Sequence, residues 1–127
     1  MGDLNLKMEV SEESPLQAIF GSHPQVKIVE TLVIHPDFDY SLIELAENAE
    51  VSKAMVFALK DKFLHYKIMK PTRKVERLQR YKFNENSPVG KLLNSLSFKL
   101  ADIDIELLLK GEEAIKEVKK QVEVVIR

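Results

Sequence analysis

The stretch "LIELAENAEVSKAMVFALK", residues 42–60, decides the fold. Ser41 precedes it and Glu44 follows three positions later, the spacing at which a serine hydroxyl and a glutamate carboxylate satisfy each other's backbone N–H at a helix start. Leu42, Leu45, Ala46 and Ala49 then recur at helical spacing, which predicts one short helix with an inward face. Val51 enters a turn, and Ser52 caps a further helix on which Val56, Leu59 and Phe63 share a stripe. Two short helices thus meet at a tight turn.

Working outward, "SHPQVKIVETLVIHP" at 22–36 carries Pro24 at a position that suits the first residue of a helix. Val26, Val29, Leu32 and Val33 supply its apolar face, and Pro36 stops it. "DFDY" at 37–40 reads as a short extended piece. Downstream, "IMKPTRKVERLQRYKF" at 68–83 contains Pro71, which forbids a helix interior, and alternates Tyr81 and Phe83 with Arg80 and Lys82. The prediction is two strands joined by a basic loop around residues 74–77. "NENSP" at 84–88 is loop and cap, followed by a long helical pattern.

In that pattern Leu93, Leu96, Leu100, Ile103 and Leu107 form a heptad seam. Ile115, Val118, Val122 and Val125 repeat the spacing, displaced by one residue, so a break, bend or hairpin is expected near Gly111. Pairing of this stripe with a second chain is favoured over covering its own domain, because three short helices leave little apolar surface for forty more residues. At the other end, "MGDLNLKMEVSEES" is acidic and weakly patterned, and reads as a mobile or partner-dependent arm. The expected class is mainly α with a small β-hairpin: an arm at 1–14, a domain at 15–86 and a C-terminal helical dimerisation region at 87–127.

The chain's 127 residues suffice for one compact domain and an appendage. It has no cysteine, which excludes disulfides, thiolate nucleophiles and thiolate metal sites. No stretch approaches the roughly 18 apolar residues of a membrane span, and the N-terminus lacks a signal-peptide pattern, so a soluble, cytoplasmic protein is expected. The histidines His23, His35 and His65 show no metal-ligand spacing, and no nucleophile elbow, phosphate loop or carboxylate pair points to an enzyme or a cofactor.

Net charge is −1, yet its distribution is lopsided. Residues 1–52 hold ten acidic and two basic side chains, whereas residues 53–82 hold two and ten, a local net of 10 − 2 = +8. Since a charged partner responds to the field within about 10 Å, this middle segment matters more than the total.

Helix, short strand, helix, turn, helix and two strands is an order that resembles the winged helix-turn-helix family, particularly small archaeal and bacterial transcriptional regulators. The resemblance covers about residues 22–90 and rests on "LAENAEVSKAMV" and "IMKPTRKVERLQRYKFN". Relatives often carry glycine where Glu50, Lys67 and Glu76 stand, and arginine where Ala58 stands. The resemblance implies sequence-selective binding of double-stranded DNA by a homodimeric transcriptional regulator. A recognition helix at 52–65 would enter the major groove, and a basic wing at 70–80 would lie on phosphates or the minor groove. The residues expected at the DNA are Ser41, Ser52, Lys53, Ala54, Phe57, Ala58, Lys60, Asp61, Lys70, Arg73, Lys74, Arg77 and Arg80. On the recognition helix Ala54 and Phe57 suit thymine methyls and Asp61 suits cytosine, while bidentate guanine readout by arginine is missing, so modest discrimination or shape readout is expected. The alternative is a winged-helix protein-interaction module, with Phe57 as its anchor.

Overall fold

The computed structural model describes residues 14–126 of the chain. Its first helix, α1 (Pro15–Phe20), lies where the sequence reading assigned none. Its local signal is nonetheless plain: Ser14 Oγ accepts the Gln17 N–H at 3.2 Å and Pro15 takes the first helical position. The arm predicted for residues 1–14 otherwise lies outside the described residues. Next come α2 (Pro24–Ile34), which stops short of Pro36, and an extended segment whose Tyr40 exchanges backbone hydrogen bonds with Tyr81 at 2.7 and 2.8 Å.

The decisive stretch folds as α3 (Leu42–Ala49) and α4 (Lys53–His65). Both arms of the capping box form, Glu44 N–H to Ser41 Oγ at 3.1 Å and Ser41 N–H to Glu44 Oε1 at 3.0 Å. Ser52 caps α4 through the Met55 N–H at 3.1 Å. Glu50 adopts the left-handed conformation that glycine would otherwise supply, with φ 59° and ψ 46°. Behind it Val51 N–H reaches the Ala46 carbonyl at 3.0 Å and Glu50 N–H that of Glu47 at 3.3 Å, the double closure that satisfies the last carbonyls of a helix. The end of α4 repeats the device around Lys67, with φ 60°. A charged residue therefore fills a glycine's place without altering the turn.

The wing consists of β1 (Met69–Val75) antiparallel to β2 (Leu78–Phe83), with an irregularity between Pro71 and Lys74. The strands run longer than the sequence suggested, and Glu76 and Arg77 alone make the turn, both at positive φ, as the two-residue hairpin connection matching strand twist requires. Ile28, Leu32, Leu45, Val56, Phe63, Met69 and Phe83 are buried in one core drawn from α2, α3, α4 and the wing. Each such side chain contributes about 1.5–3 kcal/mol by leaving water.

The chain ends in α5 (Pro88–Ile126), capped by Ser87, whose hydroxyl accepts the Gly90 N–H at 2.9 Å and donates to the Lys67 carbonyl at 2.7 Å. This helix runs through Gly111 unbroken, which corrects the break, bend or hairpin expected there. One glycine in a helix costs only about 1 kcal/mol. At about 100° per residue, moreover, both registers of the stripe fall within one face about 120° wide, because the one-residue displacement offsets the drift that a strict heptad accumulates on a straight helix. Leu93, Leu96 and Leu100 are half-buried, and the start of α5 packs on α1 and α2. Beyond Ala101 the helix leaves the domain, and Ile103, Leu107, Ile115, Val118 and Val122 are all exposed. The two sequence readings of the stripe thus each describe one half of it; the side chain of Val125 lies outside the described residues.

Candidate nucleic-acid interface

Val56, Leu59 and Phe63 anchor α4 in the core, and Ala54, Phe57, Ala58 and Asp61 lie about 180° away from them. All four are exposed, Phe57 at 53 %. Lys53 and Lys62 are exposed on opposite flanks of that face. Sequence reasoning passed over Lys62, although the same helical arithmetic finds it. Lys60 is displaced toward the core side, with Asp61 Oδ1 3.9 Å from its ammonium. Ser52 is exposed at the helix start with its oxygen engaged by the cap, whereas Ser41 is buried, its hydroxyl engaged in the capping box, and borders the cleft between α4 and the wing.

An open cleft of about 190 Å³ joins α4 to the wing, walled by Ile43, Phe57, Arg77, Leu78 and Tyr81. Through it the outward helix and the tip of the hairpin form one continuous surface. Lys74 and Arg77 are exposed at that tip, and Glu76, between them in sequence, has no ion-pair partner among the described residues. Lys70 is half-buried and faces Lys82 across the ladder.

Two of the wing's five predicted cations are committed elsewhere. Asp39 accepts hydrogen bonds from Arg73 Nε at 2.9 Å and Nη2 at 3.3 Å, from Arg80 Nε at 3.0 Å and from Thr72 Oγ1 at 2.9 Å. Arg80 Nη2 adds the Asp39 carbonyl at 2.8 Å and Glu44 Oε1 at 2.7 Å. Hydrogen bonds from Arg73 above all, then from Arg80 and Thr72, hold the Asp39 carboxyl far below the usual carboxylate range. The Ser41 N–H, and after it Arg80, lowers Glu44; in return, hydrogen bonds to Asp39 raise both guanidinium groups. Arg80 is thereby a clasp between the wing and the start of α3, while Arg73, more exposed, caps the outer side of the same carboxylate. The arrangement depends on the bridge: Asp39 precedes Tyr40, whose pairing with Tyr81 brings the carboxylate beside Arg80.

Among the described residues no three His, Asp or Glu side chains stand together as a metal site, and no helix is long and apolar enough to cross a membrane. His35 stacks on Phe38 with centroids 4.7 Å apart, and His65 meets the ring of Tyr66 at 4.8 Å.

No protein-family model and no curated protein matches the chain. Solved structures do. The apo form of a Lactococcus lactis ZitR mutant aligns at TM-score 0.55 and 19% identity, over 87% of this chain and 89% of that one. Wild-type ZitR in complex with DNA aligns at 0.51 and 18%, over 80% and 74%. The adhesin competence repressor AdcR of Streptococcus pyogenes aligns at 0.50 and 16%, over 80% and 78%. Likeness at such low identity speaks of fold alone, and it agrees with the element order described above: helices, a bridging strand, helix-turn-helix and a two-stranded hairpin. The chain has a winged helix-turn-helix fold followed by a long C-terminal helix.

Proposed function

We propose that the protein is a dimeric transcriptional regulator that binds double-stranded DNA with sequence selectivity, α4 entering the major groove and the wing lying along the backbone. The observation that carries this reading is the continuity of α4 and the wing tip across the cleft, with exposed cations at its margins and the nearby acids Asp39 and Glu44 folded into the clasp. Lys53, Lys62, Lys74 and Arg77 hold phosphates, whereas Arg73 and Arg80 fix the wing's position through Asp39. The DNA complex of a similarly folded protein supports the assignment. A regulator of this kind works in the cytoplasm, on DNA, and performs no catalysis. The exposed part of α5 pairs two copies, so that two α4 helices meet successive major grooves about 34 Å apart.

Salt titration of duplex binding, read by fluorescence anisotropy, tests the reading. Affinity falls steeply with salt, and Lys74→Ala combined with Arg77→Ala reduces the log–log slope by about 2 per protomer. Absence of salt-sensitive duplex binding at micromolar protein defeats it, and selective capture of a protein through the Phe57 face would then favour the docking-module alternative.

A further inference from the structure

The outward face of α4 has an unusual composition for a surface meant to meet base edges. Ala54, Phe57 and Ala58 have no hydrogen-bonding side-chain atoms, and Asp61 only accepts. Phe57 is 53 % exposed, and across the cleft it faces Leu78, also 53 % exposed, and Ile43 at 38 %. Three large apolar side chains thus stand in water together, bordered by Lys53 and Arg77. An occupant that suits this surface is anionic at its edges and apolar at its centre.

Resting on the DNA-binding reading above, we infer that Phe57, with Ala54 and Ala58, selects thymine-bearing duplex by burying the C5 methyl groups in the major groove. Duplex DNA has the required layout: phosphates lie on both rims and, of the four bases, thymine alone displays a methyl between them. Both A·T and G·C pairs present two acceptors there, adenine N7 with thymine O4 and guanine N7 with O6, so a face without donors does not separate them and the thymine methyl is the feature that does. Asp61 can accept from the N4 amino group of cytosine or the N6 amino group of adenine, so it leaves the choice to the apolar side chains. The specificity of this face therefore comes from apolar contact with the methyl groups.

The test compares an alternating adenine–thymine duplex with the same duplex in which deoxyuridine replaces thymidine, so that only the methyl groups are lost. Wild-type protein binds the uracil duplex about four-fold more weakly for each methyl it buries, the equivalent of about 0.8 kcal/mol. Phe57→Ala binds the two duplexes with closely similar affinity, and Phe57→Leu, which keeps an apolar group in the cleft, retains part of the preference. Circular dichroism confirms that both variants are folded. Salt-sensitive binding of equal strength to both duplexes by the wild type overturns the inference and leaves the DNA-binding reading standing. A preference that persists in Phe57→Ala also overturns it, by tracing the effect to duplex shape. Failure to bind either duplex at any salt defeats the DNA-binding reading itself, and this inference with it.

Discussion

At the scale of single residues, four side-chain-bearing residues among those described stand at positive φ: Glu50, Lys67, Glu76 and Arg77. Each left-handed residue other than glycine costs about 1 kcal/mol or more, and glycine at the same place returns part of that saving through the entropy of the unfolded chain. Glu50→Gly, where only the backbone conformation matters to the turn, is therefore expected to stabilise the domain by up to about 1 kcal/mol, seen as a higher urea midpoint with an unchanged m-value. A lower midpoint would show that the Glu50 side chain itself holds the turn. Asp39 acts in the opposite sense, as a residue whose charge the fold requires. Its folded-state pKa lies below the ordinary 3.8, so its contribution is fully present above that value and is lost as pH falls through the folded one. Thermal melts of wild type and Asp39→Asn should accordingly differ most near neutrality and converge as pH drops below about 4. A gap that stays constant into acid would mean that Asp39 contributes through packing rather than charge.

Individual elements differ in how much of them the sequence announces. The capping box of Ser41 and Glu44, Pro24 and Pro36 around α2, and the alternation before Phe83 are signals made within one turn or one strand, so they could be read in place. Arg73 and Arg80 could not, because the carboxylate that claims them lies 34 and 41 residues away and is reached only after the Tyr40–Tyr81 bridge forms. Residue types pointed to phosphate; tertiary contact reassigned them. Leu93 and Leu96 border Leu16 and Phe20 of α1 and Val26 and Val29 of α2, a neighbourhood that the reading lacked because it assigned no α1, although the Ser14 cap and Pro15 are local signals. Within α5 the two glycines illustrate the difference between local and tertiary demands. Nothing lies within 4 Å of a side chain added at Gly111, so Gly111→Ala should raise stability by about 0.5–1 kcal/mol through helix propensity. At Gly90 an added methyl would meet the Asn84 backbone, so Gly90→Ala should destabilise the domain, and chemical denaturation of both variants reads the contrast directly. Equal effects at the two sites would contradict this packing of the Asn84–Ser87 loop on α5.

Considered whole, the molecule has a core that is complete without the greater part of α5, everything beyond Ala101. The 39 residues of α5 extend about 58 Å, and all of residues 102–123 are exposed. Five aliphatic side chains along one face of that segment, each gaining roughly 1.5–3 kcal/mol on leaving water, offer on the order of 10 kcal/mol per chain toward pairing before the entropy of association is charged. Self-association through this face is the simplest way for one polypeptide to cover it, and it would link two winged-helix domains through rigid helices. Leu107→Glu with Val118→Glu should then convert a dimer into a folded monomer, by sedimentation velocity and circular dichroism, because neither residue touches the domain core. The consequence for function is separable from folding. With one domain per complex, the number of phosphates neutralised halves, so the salt dependence of duplex binding should halve in log–log slope and affinity should fall with it. A wild-type protein that sediments as a monomer, or a doubly substituted one that remains a dimer, would assign the exposed face of α5 to some other partner and leave each winged helix to bind DNA alone.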